Sequence, residues 1–193
     1  PDVCLSFYIP SGLKRVTVLG GDIADGAFMN MRTLEYVLFA DDADTIYIGE
    51  AAFMGASALE SFTLPQGVNT IGDYAFCFSG ARTVDMSLAA GLESLPEFVF
   101  GECTRLTRVA LPDGLETIEA YAFYMASALT NVNIPDGVTS IGAYAFYYCA
   151  KLPEINIPAS VAEIGSQAFG RCLELALINV DDLNQTYATY DGI

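Results

Sequence analysis

The residues best suited to chemistry in this chain are its five cysteines: Cys4, Cys77, Cys103, Cys149 and Cys172. No two of them form a C-x-x-C pair, so neither a zinc knuckle nor a thioredoxin-type dithiol is available. The chain has no histidine, which removes Ser-His-Asp and Cys-His catalysis and every His-ligated metal site. A catalytic thiolate needs an electropositive neighbour, and the whole sequence offers 8 Lys and Arg. Cys103, Cys149 and Cys172 each stand three residues after a Phe, in a column shared with Met31, Ala56, Ser79 and Ala126. Small and apolar residues in one column point to an inward-facing core, where a thiol is inert. The competing reading is a disulfide between Cys149 and Cys172, which fall in successive units ~5 Å apart.

The carboxylates offer less. Asp41, Asp42 and Asp44 could supply oxygen ligands to Ca²⁺, but they lack EF-hand spacing and read equally well as a solvated loop. No Asp or Glu pair is singled out as a glycosidase dyad. The expectation is a non-enzyme with no catalytic residue, no cofactor and no metal.

Charge and hydrophobicity narrow the partners. A net charge of −16 repels phosphate backbones, so nucleic acid is not an expected partner. The chain is 53% hydrophobic, yet no run approaches the ~18 apolar residues of a membrane-spanning helix. Insertion of this segment into a membrane is not expected.

What positions these residues is an internal repeat, the first feature to seek in a chain of this kind. Aligned on Phe28, Phe53, Phe76, Phe100, Phe123, Phe146 and Phe169, the units are spaced 25, 23, 24, 23, 23 and 23 residues apart. Ala precedes six of these anchors, and Val99 precedes Phe100. Five residues before each stands Ile23, Ile48, Ile71, Leu95, Ile118, Ile141 or Ile164. Downstream runs L-x-x-V-x-I, as in "LTRVAL" and "LTNVNI", followed in four units by Pro65, Pro112, Pro135 or Pro158. The last apolar positions of that motif alternate as in a short strand with one buried face. Pro ends the strand, the x-Gly after it turns the chain, and V-x-x-I forms a second short extended piece. The segment around "AF" predicts a single turn of α- or 3₁₀-helix. No unit of about 23 residues buries its apolar face alone, but stacked units share one continuous core.

The stretch "LTNVNIPDGVTSIGAYAFYYC" resembles the repeat of the BspA-like, or Treponema-type, leucine-rich repeat family at nearly every position. The resemblance runs over roughly residues 4 to 180. It implies one right-handed leucine-rich-repeat solenoid over residues 1–193, with short parallel strands and single helical turns. Three places depart from the pattern: "ADDAD" in place of Pro-x-Gly, "SLAAG" in the unit from residue 81, and the insertion "TVLGGD". The segment from residue 181 leaves the repeat, and the chain begins inside a strand template. The expectation is therefore a piece of a longer protein, cut at both ends. The family implies a bacterial, secreted or cell-surface protein that binds protein or glycoprotein ligands and serves adhesion.

Two surfaces are candidates for such binding. Residues two before and one after each anchor share a face, and they bring together Tyr121, Tyr124, Tyr144 and Tyr147, with Tyr148 beside them. These rings either present an aromatic patch to a protein or a sugar, or pack on one another as a second rib of scaffold. The second surface is the strand face, where leucine-rich repeat proteins often bind partners: Arg108, Asn131, Asn133, Glu154 and Asn156. Asn133, Asn156 and Asn179 there also predict an amide ladder from coil to coil. The class opposed to binding is a structural spacer or self-associating scaffold.

Overall fold

The computed structural model describes residues 12–40 and 47–189. Each repeat unit makes one coil with two short strands, and successive coils lie on one another in parallel. One side of the stack carries the strands β1 (Arg15–Val18), β2 (Tyr36–Phe39), β4 (Phe62–Thr63), β6 (Thr83–Asp85), β8 (Arg108–Ala110), β10 (Asn131–Val132), β12 (Glu154–Ile157) and β14 (Leu177–Val180). A second ladder carries β3 (Tyr47–Ile48), β5 (Thr70–Ile71), β7 (Ser94–Leu95), β9 (Thr117–Ile118), β11 (Ser140–Ile141) and β13 (Glu163–Ile164). The pairing keeps the repeat in register: Thr83 lies opposite Arg108, and Arg108 opposite Asn131. On the second ladder Leu95, Ile118, Ile141 and Ile164 line up in the same way.

The core is the row of repeat positions turned inward. Phe53, Phe76, Phe100, Phe123 and Phe146 are buried, and the anchors stack from Phe28 to Phe169 with centroids 5.0 to 5.7 Å apart. Burying each such ring removes enough apolar surface from water to contribute roughly 1.5–3 kcal/mol. Phe28 and Phe169 are only half-buried, and among the described residues each has a stacking neighbour on one side only.

Two proline substitutions interrupt the ladders. In most coils the residue after the second-ladder Ile or Leu donates its N–H to the coil below, as Gly142 does to Ile118 O and Gly165 to Ile141 O, both at 2.7 Å. Pro96 occupies that position and has no N–H, and the ladder splits there into β3-β5 and β7-β9-β11-β13. On the strand side Thr130 N–H donates to Thr107 O at 3.0 Å. Pro153 takes the matching position one coil on, and β10 and β12 belong to separate sheets.

The segment around each anchor Phe is not the helical turn its length and spacing predict. The N–H groups of Ala52, Met54 and Ala56 close turns onto Gly49, Ala51 and Phe53 at 3.1 to 3.2 Å. The alternate N–H groups of Ala51, Phe53 and Gly55 donate instead to Asp73, Ala75 and Cys77 of the next coil, at 2.7 to 2.9 Å. A helix would direct all six along itself. The physical reason is the backbone: residues two before and two after each anchor are left-handed throughout. The first column is Gly26, Ala51, Tyr74, Phe98, Tyr121, Tyr144 and Gln167; the second is Asn30, Gly55, Phe78, Glu102, Met125, Tyr148 and Arg171. A left-handed residue every fourth position breaks any helix, and the freed amides tie coil to coil.

Candidate functional site

The cysteines belong to the core. Cys77, Cys103 and Cys149 are buried and Cys172 is half-buried; all four are free thiols, so the Cys149–Cys172 disulfide is not formed. Their hydrogen bonds repeat. Cys103, Cys149 and Cys172 donate from Sγ to the backbone oxygens of Phe76, Phe123 and Phe146, at 3.1, 3.3 and 3.1 Å. Burial pushes the Cys77 thiol up to about 12 and Cys103 up to about 11. It raises Cys149 and Cys172 as well. Thiols held protonated in this way are poor nucleophiles. Among the described residues no three Cys, Asp or Glu side chains are placed to hold a metal ion. Cys4 and the Asp41, Asp42, Asp44 run lie outside the described residues.

The tyrosines form a two-row rib on the turn side. Tyr74, Phe98, Tyr121 and Tyr144 stack face to face, with centroids 5.1, 4.6 and 5.2 Å apart. Tyr124 stacks on Tyr147 at 5.5 Å, and each of these two meets the first row edge-on at 5.4 to 5.8 Å. Tyr121, Tyr124, Tyr144, Tyr147 and Tyr148 are all half-buried. The spacing of two before and one after the anchor therefore does bring the rings together, through linked turns rather than a helix.

The strand side is the reverse. Arg108, Asn131, Asn133, Glu154 and Asn156 are all exposed, while their neighbours Val109, Val132 and Ile155 are buried. Two outward columns run along this face. One carries Tyr36, Ser61, Thr83, Arg108, Asn131, Glu154 and Leu177; the other carries Leu38, Thr63, Asp85, Ala110, Asn133, Asn156 and Asn179. Few of these groups are committed to one another. The amide ladder is made once, from Asn179 Nδ2 to Asn156 Oδ1 at 3.0 Å. It does not continue to Asn133, which lies across the break at Pro153. Thr83 Oγ1 donates to Ser61 Oγ at 2.6 Å. Asp85 accepts from Ser87 N and Oγ at 3.0 and 2.6 Å, which pulls its carboxyl below the ordinary carboxylate value.

Two shallow troughs cross this face. One, of about 430 Å³, lies over β4, β6 and β8 and includes Ser61, Thr83, Asp85 and Arg108. The other, of about 290 Å³, spans the break between β10 and β12 and includes Asn133, Asn156 and Asn179. Sequence reasoning placed single residues on this face but not the troughs. Their signals were present as Pro153 and as the hydroxyl residues Ser61 and Thr83. No helix among the described residues is long and apolar enough to cross a membrane.

Known proteins give the same architecture. A leucine-rich repeat protein from Eubacterium ventriosum superposes with a TM-score of 0.73 at 25% identity, covering 82% of this chain and 42% of its own. A leucine-rich cell surface protein from Faecalibacterium prausnitzii gives 0.57 at 24%, covering 92% and 49%. The pneumococcal vaccine antigen PcpA gives 0.55 at 21%, covering 89% and 51%. The chain thus spans about half the length of these structures. A search of curated proteins finds no match. The BspA type leucine rich repeat profile matches in six copies over residues 21–125 and 77–190. Together with the coil-by-coil register, this match places the chain in the BspA-type leucine-rich repeat family.

Proposed function

We propose that this solenoid is a non-catalytic binding module of the bacterial cell surface, and that it engages its ligand through the strand face. One observation carries the reading. Arg108, Asn131, Asn133, Glu154 and Asn156 form an exposed polar surface whose side chains are largely unspent on the fold. A polar group kept in water by a rigid frame is available to a partner at little ordering cost. The ligand is a protein, a glycoprotein or its glycan. Cell-surface placement is supported by kinship with a leucine-rich cell surface protein and a vaccine antigen.

The tyrosine rib favours a second reading. Its rings contact each other from coil to coil, as expected of scaffold in a structural spacer, and an exposed edge could also pair two rods.

The test compares two multiple variants on an array of extracellular proteins and glycans. The first replaces Arg108, Asn131, Asn133, Glu154 and Asn156 with Ala; the second is Tyr124→Ala with Tyr147→Ala. The strand-face reading expects the first variant to lose capture with its melting temperature intact. It expects the second to keep capture but melt earlier. No ligand for the wild type, with a mass in light scattering that rises with concentration, would favour the spacer.

A further inference from the structure

We infer that the strand face is built for an oligosaccharide carrying a carboxylate, with Arg108 taking the acid group and the neighbouring amides and hydroxyls taking the sugar hydroxyls. The inference rests on the strand-face reading above and names the ligand class for it.

Arg108 is the starting point. It is exposed, it borders the larger trough, and it makes no ion pair or side-chain hydrogen bond among the described residues. The carboxylate nearest to answering it, Asp85, is turned to Ser87 through Oδ1. Nearby Arg82 and Arg105 are both drawn to Glu60, at 3.9 and 4.0 Å. Arg15, at the other end of the face, is engaged over the ring of Tyr36 at 5.5 Å. Among the described residues Arg108 thus makes no direct ion pair and feels Asp85 only at longer range, in a chain of net charge −16. Such a group is well suited to a planar carboxylate, which it can bind through two parallel hydrogen bonds.

The surroundings decide what carries that carboxylate. From Arg108 the face continues toward β14 through Asn131, Asn133 and Asn156, and toward β4 through Thr83 and Ser61. Amides and hydroxyls both donate and accept. Thr83 donates to Ser61, so the Ser61 proton and the Thr83 lone pairs remain free. One cation followed by a neutral strip matches a ligand with one acid and many hydroxyl groups. An acidic peptide would call for a cation at each coil. The charged positions on either side of it are carboxylates instead, Asp85 one coil before and Glu154 two coils after, and they would repel a polyanion. At ~4.8 Å per coil, the strip from Arg108 to Asn156 covers two coil steps, roughly the length of a disaccharide.

Isothermal titration of the full chain tests this with matched probes: an aldotriouronic acid, which carries one carboxylate, against its methyl ester, sialyllactose against lactose, and a capped hexaglutamate peptide. At least one acid sugar should bind, with its neutral counterpart about tenfold weaker or worse. Arg108→Gln should remove that difference, and Asn156→Ala should weaken both members of the pair. Both variants should keep the wild-type melting temperature. Absence of sugar binding, binding unchanged in Arg108→Gln, or hexaglutamate binding as tightly as the acid sugars would overturn the inference. These failures are separable from failure of the parent reading. Hexaglutamate binding abolished by Arg108→Gln would leave the strand face as the binding surface. Array capture unaffected by the five-residue variant would remove the parent reading itself.

Discussion

The turn side and the strand side of each coil follow opposite rules. On the turn side, side chains one coil apart touch: Phe stacks on Phe, Tyr on Tyr, and thiols reach back to the preceding coil. On the strand side the backbone does the joining, and most outward side chains are left to water. The comparison shows that variability along a repeat does not mark free surface. The column two before the anchor holds Gly26, Ala51, Tyr74, Phe98, Tyr121, Tyr144 and Gln167, yet four adjacent members form a continuous stack. The outward strand columns vary as much and touch far less.

The contrast breaks most visibly at the centre of the turn side. Phe123 is fully buried and stacked on Phe100 at 5.5 Å and Phe146 at 5.0 Å. Phe123→Ala should cost about 3–5 kcal/mol by urea denaturation, because the rows on both sides restrict collapse of the cavity. On the strand side, Asn133→Ala should stay within about 0.5 kcal/mol of the parent. Comparable losses at the two sites would end the distinction.

The next largest effect falls where coils approach most closely. A Cβ on Gly142 would lie 2.3 Å from the Ala120 backbone N, and one on Gly165 would lie as close to Ala143 N. Gly142 is therefore required for close approach of two backbones; no left-handed bend is involved. Gly142→Ala must push coils apart and should cost about 1–3 kcal/mol. A variant as stable as wild type would mean that the stack yields more easily than its backbone ladder implies.

How much of this could be read from the sequence follows from the same contrast. Inward positions were legible because each repeats: the Phe, Ile and Cys columns sit in the core as their spacing requires. The pairing of tyrosines three residues apart was legible too. Helical turns were expected and are absent among the described residues, because spacing of three fits both a helix and linked turns. Only the left-handed backbone at positions such as Tyr144 and Tyr148 separates the two. A residue with a large side chain gives no sequence signal for positive φ. The ladder breaks were legible in principle, since Pro96 and Pro153 remove a specific N–H. The trough at Arg108 was legible only in part, through Ser61 and Thr83, because nothing in the repeat signals that Asp85 turns to Ser87.

A smaller effect isolates the backbone of the tyrosine rib from its rings. Tyr144 has φ of 57° and stacks on Tyr121. Tyr144→Ala and Tyr144→Gly lose the same ring, but only Gly is at ease in the left-handed region. The Gly variant should therefore be the more stable, by up to about 1 kcal/mol, the opposite of the ordinary order. Equal stability would show that the coil relaxes its backbone once the ring is gone.

The last difference lies in how stability changes toward the two ends of the pH scale. Burial raises the Cys77 and Cys103 thiols from an ordinary 9.0 to about 12 and about 11. The folded state holds these protons more tightly than the unfolded chain. Stability from the turn side is thus intact below about pH 9.0 and falls as pH rises from there toward 12. Asp85 on the strand side is shifted the other way, below 3.8, by its hydrogen bonds to Ser87. Its contribution is present above pH 3.8 and declines as pH falls below it. Urea midpoints between pH 3 and pH 11 should show Ser87→Ala weakening the protein at neutral pH and flattening only the acid limb. Cys77→Ala with Cys103→Ala should flatten only the alkaline limb. Crossed effects, with the thiols governing the acid limb, would mean that the two sides are coupled through the coil rather than independent across it.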